Sequence, residues 1–185
     1  MKHLLLAVAA LTVSAHAQTA ATLVPAQSEI VFTSTQMGVP VEGRFRRFDA
    51  TIALDPKQPQ AGSVALAIDT SSATLRLAEI DAELAKPGWF DTHRFPQASF
   101  RSTAIKAEGG GRFEVTGTLS IKGVAQPLVV PVTLTQNGTT STATGRFTIK
   151  RGAFKIGDGE WSDPSLVADE VGVRFKLVLT GVPPI

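Results

Sequence analysis

Residues 89–100 read WFDTHRFPQASF and place the carboxylate of Asp91 two positions before the imidazole of His93, with Arg94 beside them. His93 is the one histidine after His16. Such a pair could serve acid–base chemistry, form part of a metal site, or be the polar edge of an aromatic wedge made by Trp89, Phe90, Phe95 and Phe100. Acid–base work needs a nucleophile or a substrate within hydrogen-bond reach, and a triad needs an activated serine. The chain has no Gly-x-Ser-x-Gly elbow. A zinc site takes three or four ligands, and a single histidine with no cysteine falls short. The polar pair flanked by buried aromatics is the preferred reading, with a small hydrolase built on His93 and Asp91 as its rival.

The other candidates are thinner. Asp158, Glu160 and Asp163 crowd the stretch GDGEWSD, but their spacing is not that of an EF-hand loop, and a glycine-rich turn with an acidic rim accounts for them. Asn137-Gly138-Thr139 fits the glycosylation pattern and equally fits a hairpin turn. Haem is disfavoured by the absence of tyrosine and by one histidine and one methionine, Met37, beyond the leader. No cofactor and no metal are called for. The shortage of catalytic groups moves the balance from an enzyme towards a binding protein.

The chain opens MKHLLLAVAALTVSAHAQ, with one lysine, a short apolar run and a small-x-small site at Ala15-His16-Ala17. The run is shorter than the ~20 residues a transmembrane helix needs. Residues 1–17 are read as a cleaved secretory signal, which makes the protein periplasmic. That leaves 168 of 185 residues, enough for one domain with one core. With no cysteine there are no disulfides, so the core alone must hold the exported fold. Removing Lys2 leaves 17 basic against 16 acidic residues, no footprint for nucleic acid.

The elements that must position these groups are mostly strands. Phe113, Val115, Gly117, Leu119 and Ile121 alternate with polar residues, as do Val171, Val173, Phe175, Leu177 and Leu179. Similar runs occur at Val64/Leu66/Ile68, Leu128/Val130/Val132/Leu134 and Ala143/Gly145/Phe147/Ile149. Between Val41 and Ile52 the apolar phase slips at Arg46-Arg47, the mark of a bulge or corner that re-aims a strand. Leu77, Ile80 and Leu84 recur at helical spacing, predicting one helix over 74–86 that Pro87-Gly88 ends. The expectation is an all-β fold: a sandwich, or an antiparallel barrel of about eight strands with one α-helix between strands. Such a barrel can be filled by side chains or hold one small ligand, and the pattern leaves that choice open.

Taken together, GRFRRFDATI, IDAELAKPGWFDTHRFPQASFRS, GTLSIKGVAQPLVVPVTL and KRGAFKIGDGEW, in that order, resemble the YceI-like family of exported lipid- or polyisoprenoid-binding proteins. The Trp-Phe-Asp and Gly-Glu-Trp pieces resemble the branch often found near cytochrome b561 genes. The resemblance implies a lipocalin-like barrel around a hydrophobic tunnel that takes an isoprenoid chain, polyprenyl phosphate or quinone. It also implies a b561-type membrane cytochrome as partner. The oligomeric state stays open, a homodimer being one option. Two departures stand out. Of the polar group that many members carry near the start only Ser28 remains, and Lys155 stands where many have glycine.

On that reading the tunnel or its rim draws on Phe32, Phe45, Phe48, Leu66 and Ile68 early in the chain and on Leu77, Ile80 and Leu84 of the helix. Trp89, Phe90 and Phe100 follow, then Phe113 and Val115, and Trp161 in the late loop. Arg94, Lys122 and Arg151 are the cations placed to meet a phosphate or quinone head. The remaining alternative is a ligand-free stress-response barrel with a filled core.

Overall fold

The computed structural model describes residues 20–185; the leader expected at 1–17 lies outside them. Eleven strands form one antiparallel sheet: β1 (Ala20–Leu23), β2 (Glu29–Gln36), β3 (Val39–Phe45), β4 (Phe48–Ala53), β5 (Ser63–Asp69), β6 (Ala73–Thr74), β7 (Gln97–Gly109), β8 (Arg112–Ile121), β9 (Val124–Asn137), β10 (Thr140–Lys150) and β11 (Glu170–Thr180). One helix, α1 (Ala78–Leu84), lies between β6 and β7.

The count reconciles with eight staves because the first three are each broken. β1 and β2 lie along β11 as one interrupted strand; Leu23 pairs with Leu179 and Ile30 with Phe175. On their other side β1 pairs with β4 and β2 with β3. β5 and β6 likewise continue one another beside β4 and β3. The remaining strands pair in sequence order up to β11, so the barrel is an up-and-down meander closed by its last stave on its first.

Each break has a local cause. Pro25 opens a 3-10 turn, Pro25–Gln27, that lifts the chain off the ladder. Ser28 bridges the gap: its Oγ donates to the Val24 carbonyl at 2.8 Å and accepts from the Val178 N–H at 2.9 Å. The phase slip at Arg46-Arg47 is a corner. It sits against the third break, the 3-10 turn Thr70–Ser72, with Arg46 N–H donating to the Ser72 carbonyl and Arg47 N–H to Ser72 Oγ. Arg47 Nε also reaches Asp69 Oδ2 at 2.8 Å, while Asp69 Oδ1 caps the turn by accepting from Ser71 N–H.

Tight hairpins join the later strands. Lys122 and Gly123, between Ile121 and Val124, both have positive φ, which is the type I′ requirement for matching strand twist. At the Asn137–Thr140 hairpin the two turn residues are Gly138 and Thr139, one position later than the Asn-Gly pair suggests.

The helix is shorter than its apolar spacing predicts. Asp81 reaches back from inside α1, accepting from Thr74 Oγ1 at 2.5 Å and from Leu75 N–H at 2.7 Å. These bonds hold residues 74–75 extended, and Arg76 turns the chain with φ 65°. Leu77 is therefore the residue before the first turn, 58% exposed, and not an inward helical residue. At the other end residues 89–92 wrap back over the helix. Phe90 and Thr92 N–H donate to the Leu84 and Ala85 carbonyls, and Trp89 and Asp91 N–H both donate to Lys86.

Candidate functional site

Inward residues of the alternating strands do not fill the barrel. A deep cavity of about 130 Å³ lies between β4–β5 and β7–β11, and every residue that lines it is apolar, from Ile52 and Leu66 to Leu134 and Leu179. Above it an upper cavity of about 330 Å³ runs beneath α1 to the loops that carry Trp89 and Trp161. Ile30, Ile68, Leu119, Phe147 and Val173 line both, so the two chambers adjoin inside the barrel lumen. The broken staves divide the work. β4 and β5 line the deep chamber and β2 and β3 the upper, with Ile30 of β2 and Ile68 of β5 at the level the two share.

Three inward glycines explain why phenylalanines leave this space free. A Cβ on Gly43 would lie 2.3 Å from the Phe32 ring, one on Gly117 2.5 Å from Phe100, and one on Gly145 2.5 Å from Phe175. Each ring covers a glycine of the neighbouring strand. Glycine in a strand usually weakens it or marks a close approach; here the close approach is an aromatic ring.

Two loops form the mouth. The Gly88 carbonyl accepts from both Gly157 and Asp158 N–H, tying the turn after α1 to the loop before Trp161. The two indoles then stand 5.8 Å apart. Phe90 continues inward, edge-on to Phe45 at 5.7 Å, and Phe45 meets Phe32 at 5.4 Å. Trp89 Nε1 is buried and meets no acceptor among the described residues.

Most of the aromatics and aliphatics singled out in the sequence face this lumen. Phe32, Phe45, Ile80, Leu84, Trp89, Phe90 and Trp161 line the upper chamber, Leu66, Phe100, Phe113 and Val115 the deep one, and Ile68 both. Leu77 and Phe48 line neither. Leu77 is solvent-exposed and Leu75 takes the inner position; Phe48 packs against the core beside the corner. The deep chamber is also lined by Phe147, Val173 and Phe175, which alternate on the inward phase of their strands, and by Ile30 of β2.

The three cations are engaged elsewhere. Arg94 is on the surface, 3.5 Å from Asp91 and over the Phe95 ring. Lys122 Nζ donates to the Lys155 carbonyl at 2.5 Å and lies 3.6 Å from Asp158. Arg151 does border the upper chamber, but all five of its N–H groups reach backbone carbonyls: Ala168, Ile156, Gly157, Trp161 and Val167, at 2.6–3.1 Å. It fastens the mouth loop and has no donor left for a headgroup. Lys155 adopts the left-handed region, φ 56°, a conformation that glycine reaches without strain. Ser28 belongs to the ladder and to neither chamber. His93 is exposed and Asp91 is turned to Arg94, so the pair does not form a dyad.

Comparison with known proteins places this geometry. The family described as YceI-like domain matches residues 22–179. The Protein YceI of Salmonella arizonae is 36% identical over 96 residues, 52% of this chain and 50% of its own; the chain spans about half the length of the curated relatives it matches. The crystal structure of BcnA from Burkholderia cenocepacia superimposes with a TM-score of 0.82 at 45% identity, over 84% of this chain and 98% of that one. A domain of Saccharophagus degradans, described as polyisoprenoid binding, shares the fold with a TM-score of 0.72 at 18% identity, over 88% and 98% of the two chains.

Proposed function

The chain belongs to the YceI-like family, and from that premise we propose that it is an exported, periplasmic carrier that holds an isoprenoid-type lipid in its lumen and performs no catalysis. The observation that carries this reading is the pair of adjoining apolar chambers, the upper one bordered by Trp89, Trp161 and α1. The polyisoprenoid-binding description of the Saccharophagus domain, on the same fold, supports the choice of cargo class.

The energetics suit a carrier. Each buried methylene contributes about 0.8 kcal/mol, so some twenty would nominally give about 16 kcal/mol. That nears the practical ceiling of roughly 18–21 kcal/mol for non-covalent binding. Ordering a flexible chain offsets part of it. A wall of aliphatics with few polar fixtures lets such a chain slide and leave. A b561-type membrane cytochrome is the partner this reading favours for delivery or collection.

Extraction of the purified protein with organic solvent, followed by mass spectrometry, tests the proposal. A co-purifying isoprenoid is the expected result. Its repeated absence from protein made in several hosts, with no uptake of added isoprenoid, would leave a ligand-free barrel as the better account.

A further inference from the structure

The outer wall of the barrel carries a groove of about 490 Å³ that is separate from the lumen chambers. It lies where β9 and β10 part, since their ladder stops at Val132 and Gly145. Arg112, Thr133, Thr144, Arg146 and Lys176 border it and alternate with the inward residues of their strands, so they stand on the solvent side. The register sets four of them in one row across the sheet. Arg112 is opposite Thr133, Thr133 opposite Thr144, and Thr144 opposite Lys176. Three strand spacings hold the two cations about 14 Å apart, with a pair of threonines between them. Arg146 is the next outward residue after Thr144 and lies directly opposite Arg174.

These cations are not spent on the fold. Arg174 is held by Glu29 and Glu42 at 2.8 and 3.1 Å. Arg112, Arg146 and Lys176 have no ion pair among the described residues, and the hydroxyls of Thr133 and Thr144 have no hydrogen bond there. Four cations border the groove against two carboxylates, Glu29 and Glu108, and Glu29 is already bound to Arg174. Like charges directly opposite on a sheet cost stability, so folding alone does not favour Arg146 beside Arg174.

From the groove the outward face of β9 runs on through Pro131, Val129, Pro127 and Ala125, all exposed and apolar, Val129 by 50%. A lipid surface answers both features, with phosphates for the cations and an interface for the apolar strip. A second barrel adding a strand here fits less well. The β8–β9 ladder continues past Pro127 and Pro131, so their missing N–H groups face the side that β10 leaves open. We propose that this face of the barrel docks on an anionic lipid bilayer, with a headgroup phosphate seated over Thr133 and Thr144 between Arg112, Arg146 and Lys176. The inference holds whatever the lumen carries.

The test sediments the full chain with vesicles of phosphatidylcholine alone or mixed with phosphatidylglycerol. Binding should appear with phosphatidylglycerol only and fade as salt screens it. Arg112→Gln, Arg146→Gln and Lys176→Gln together should lower the partition about 100-fold, near fivefold for each basic residue at an anionic surface. Arg46→Gln, Lys57→Gln and Arg76→Gln remove the same charge from exposed sites outside the groove. That control should move the partition by less than about threefold, because distant charges are screened. Arg146→Gln alone should melt no lower than wild type, since it relieves a like-charged pair, while losing its share of the binding.

No binding to phosphatidylglycerol vesicles, equal binding to neutral ones, or equal losses in the two triple variants would each overturn the inference. So would inorganic phosphate that shifts the Thr133 and Thr144 amide resonances while vesicles leave them unchanged, which would make the groove a site for a soluble phosphate. A dimer in sedimentation that the groove variant abolishes would give this face to a second copy of the chain, and would overturn it too.

Discussion

Replacing Arg151 with methionine tests how the mouth is built. The substitution keeps an unbranched apolar stem but removes all five donors, leaving the carbonyls of Ile156, Gly157, Trp161, Val167 and Ala168 without their partner. Hydrogen bonds to a charged group contribute about 1.5–3 kcal/mol each, but a freed loop can turn its carbonyls to water, so the five do not add in full. Five neutral carbonyls that lose a charged donor and are only partly rehydrated should together cost about 3–5 kcal/mol. At about 2–4 °C per kcal/mol for a chain of this size, the melting temperature should drop by about 6–20 °C. Arg151→Lys, with three donors on one ammonium, should fall between the two. Circular dichroism gives the melt. Hydrogen exchange should place the new exposure in residues 156–168, and tryptophan fluorescence should report the parting of Trp89 and Trp161. A methionine variant within about 1 kcal/mol of wild type, or a lysine variant equal to arginine, would refute the clamp, since a peripheral arginine contributes little.

Gly43→Ala must push the Phe32 ring from 2.3 Å to ordinary contact, a shift of at least about 1 Å. Overpacking of about 1–3 kcal/mol is partly offset by the ~0.5–1 kcal/mol that alanine recovers over glycine, so lipid loading should suffer more than stability. Phe32→Leu on the same background should restore loading, measured by mass spectrometry of extracts. Ser28→Ala strands the Val178 N–H at the closure and should cost about 1–2 kcal/mol in a urea melt. Asp69 has its carboxyl held below the usual range by the Ser71 hydroxyl and then by Arg47. A depressed folded value stabilises the protein above the unfolded value of ~3.9, and that contribution fades as pH falls through the lower folded value. Asp69→Asn should therefore be less stable than wild type at neutral pH, with the difference narrowing below about pH 4 in acid melts.

The meander and its inward faces were legible because a period-two pattern and tight turns are local signals, and in this barrel every stave pairs with its sequence neighbours. Even the corner at Arg46-Arg47 showed as a slip of phase. The helix was overdrawn because its start is set by Asp81 reaching back to Thr74 and Leu75, a contact that apolar spacing does not encode. The cations were misjudged for a related reason. Their partners are backbone carbonyls, which every residue possesses and no pattern marks. Hollowness had a trace in Gly117 and Gly145 among inward positions, but only the placement of Phe100 and Phe175 above them turns small residues into empty space.

The side-by-side breaks in the first three staves make the barrel wall uneven. β7, β8, β10 and β11 contribute residues to both chambers, and β9 to the deep one. On the other side the chain turns at residues 25–27, 46–47 and 70–72, each crossing fixed by a few hydrogen bonds. The strip made of β2, β3 and β6 is thereby set off from the strip made of β1, β4 and β5. The wider chamber is thus bordered by β2 and β3 on the interrupted side of the wall, and the narrower one by β4, β5 and the long strands opposite.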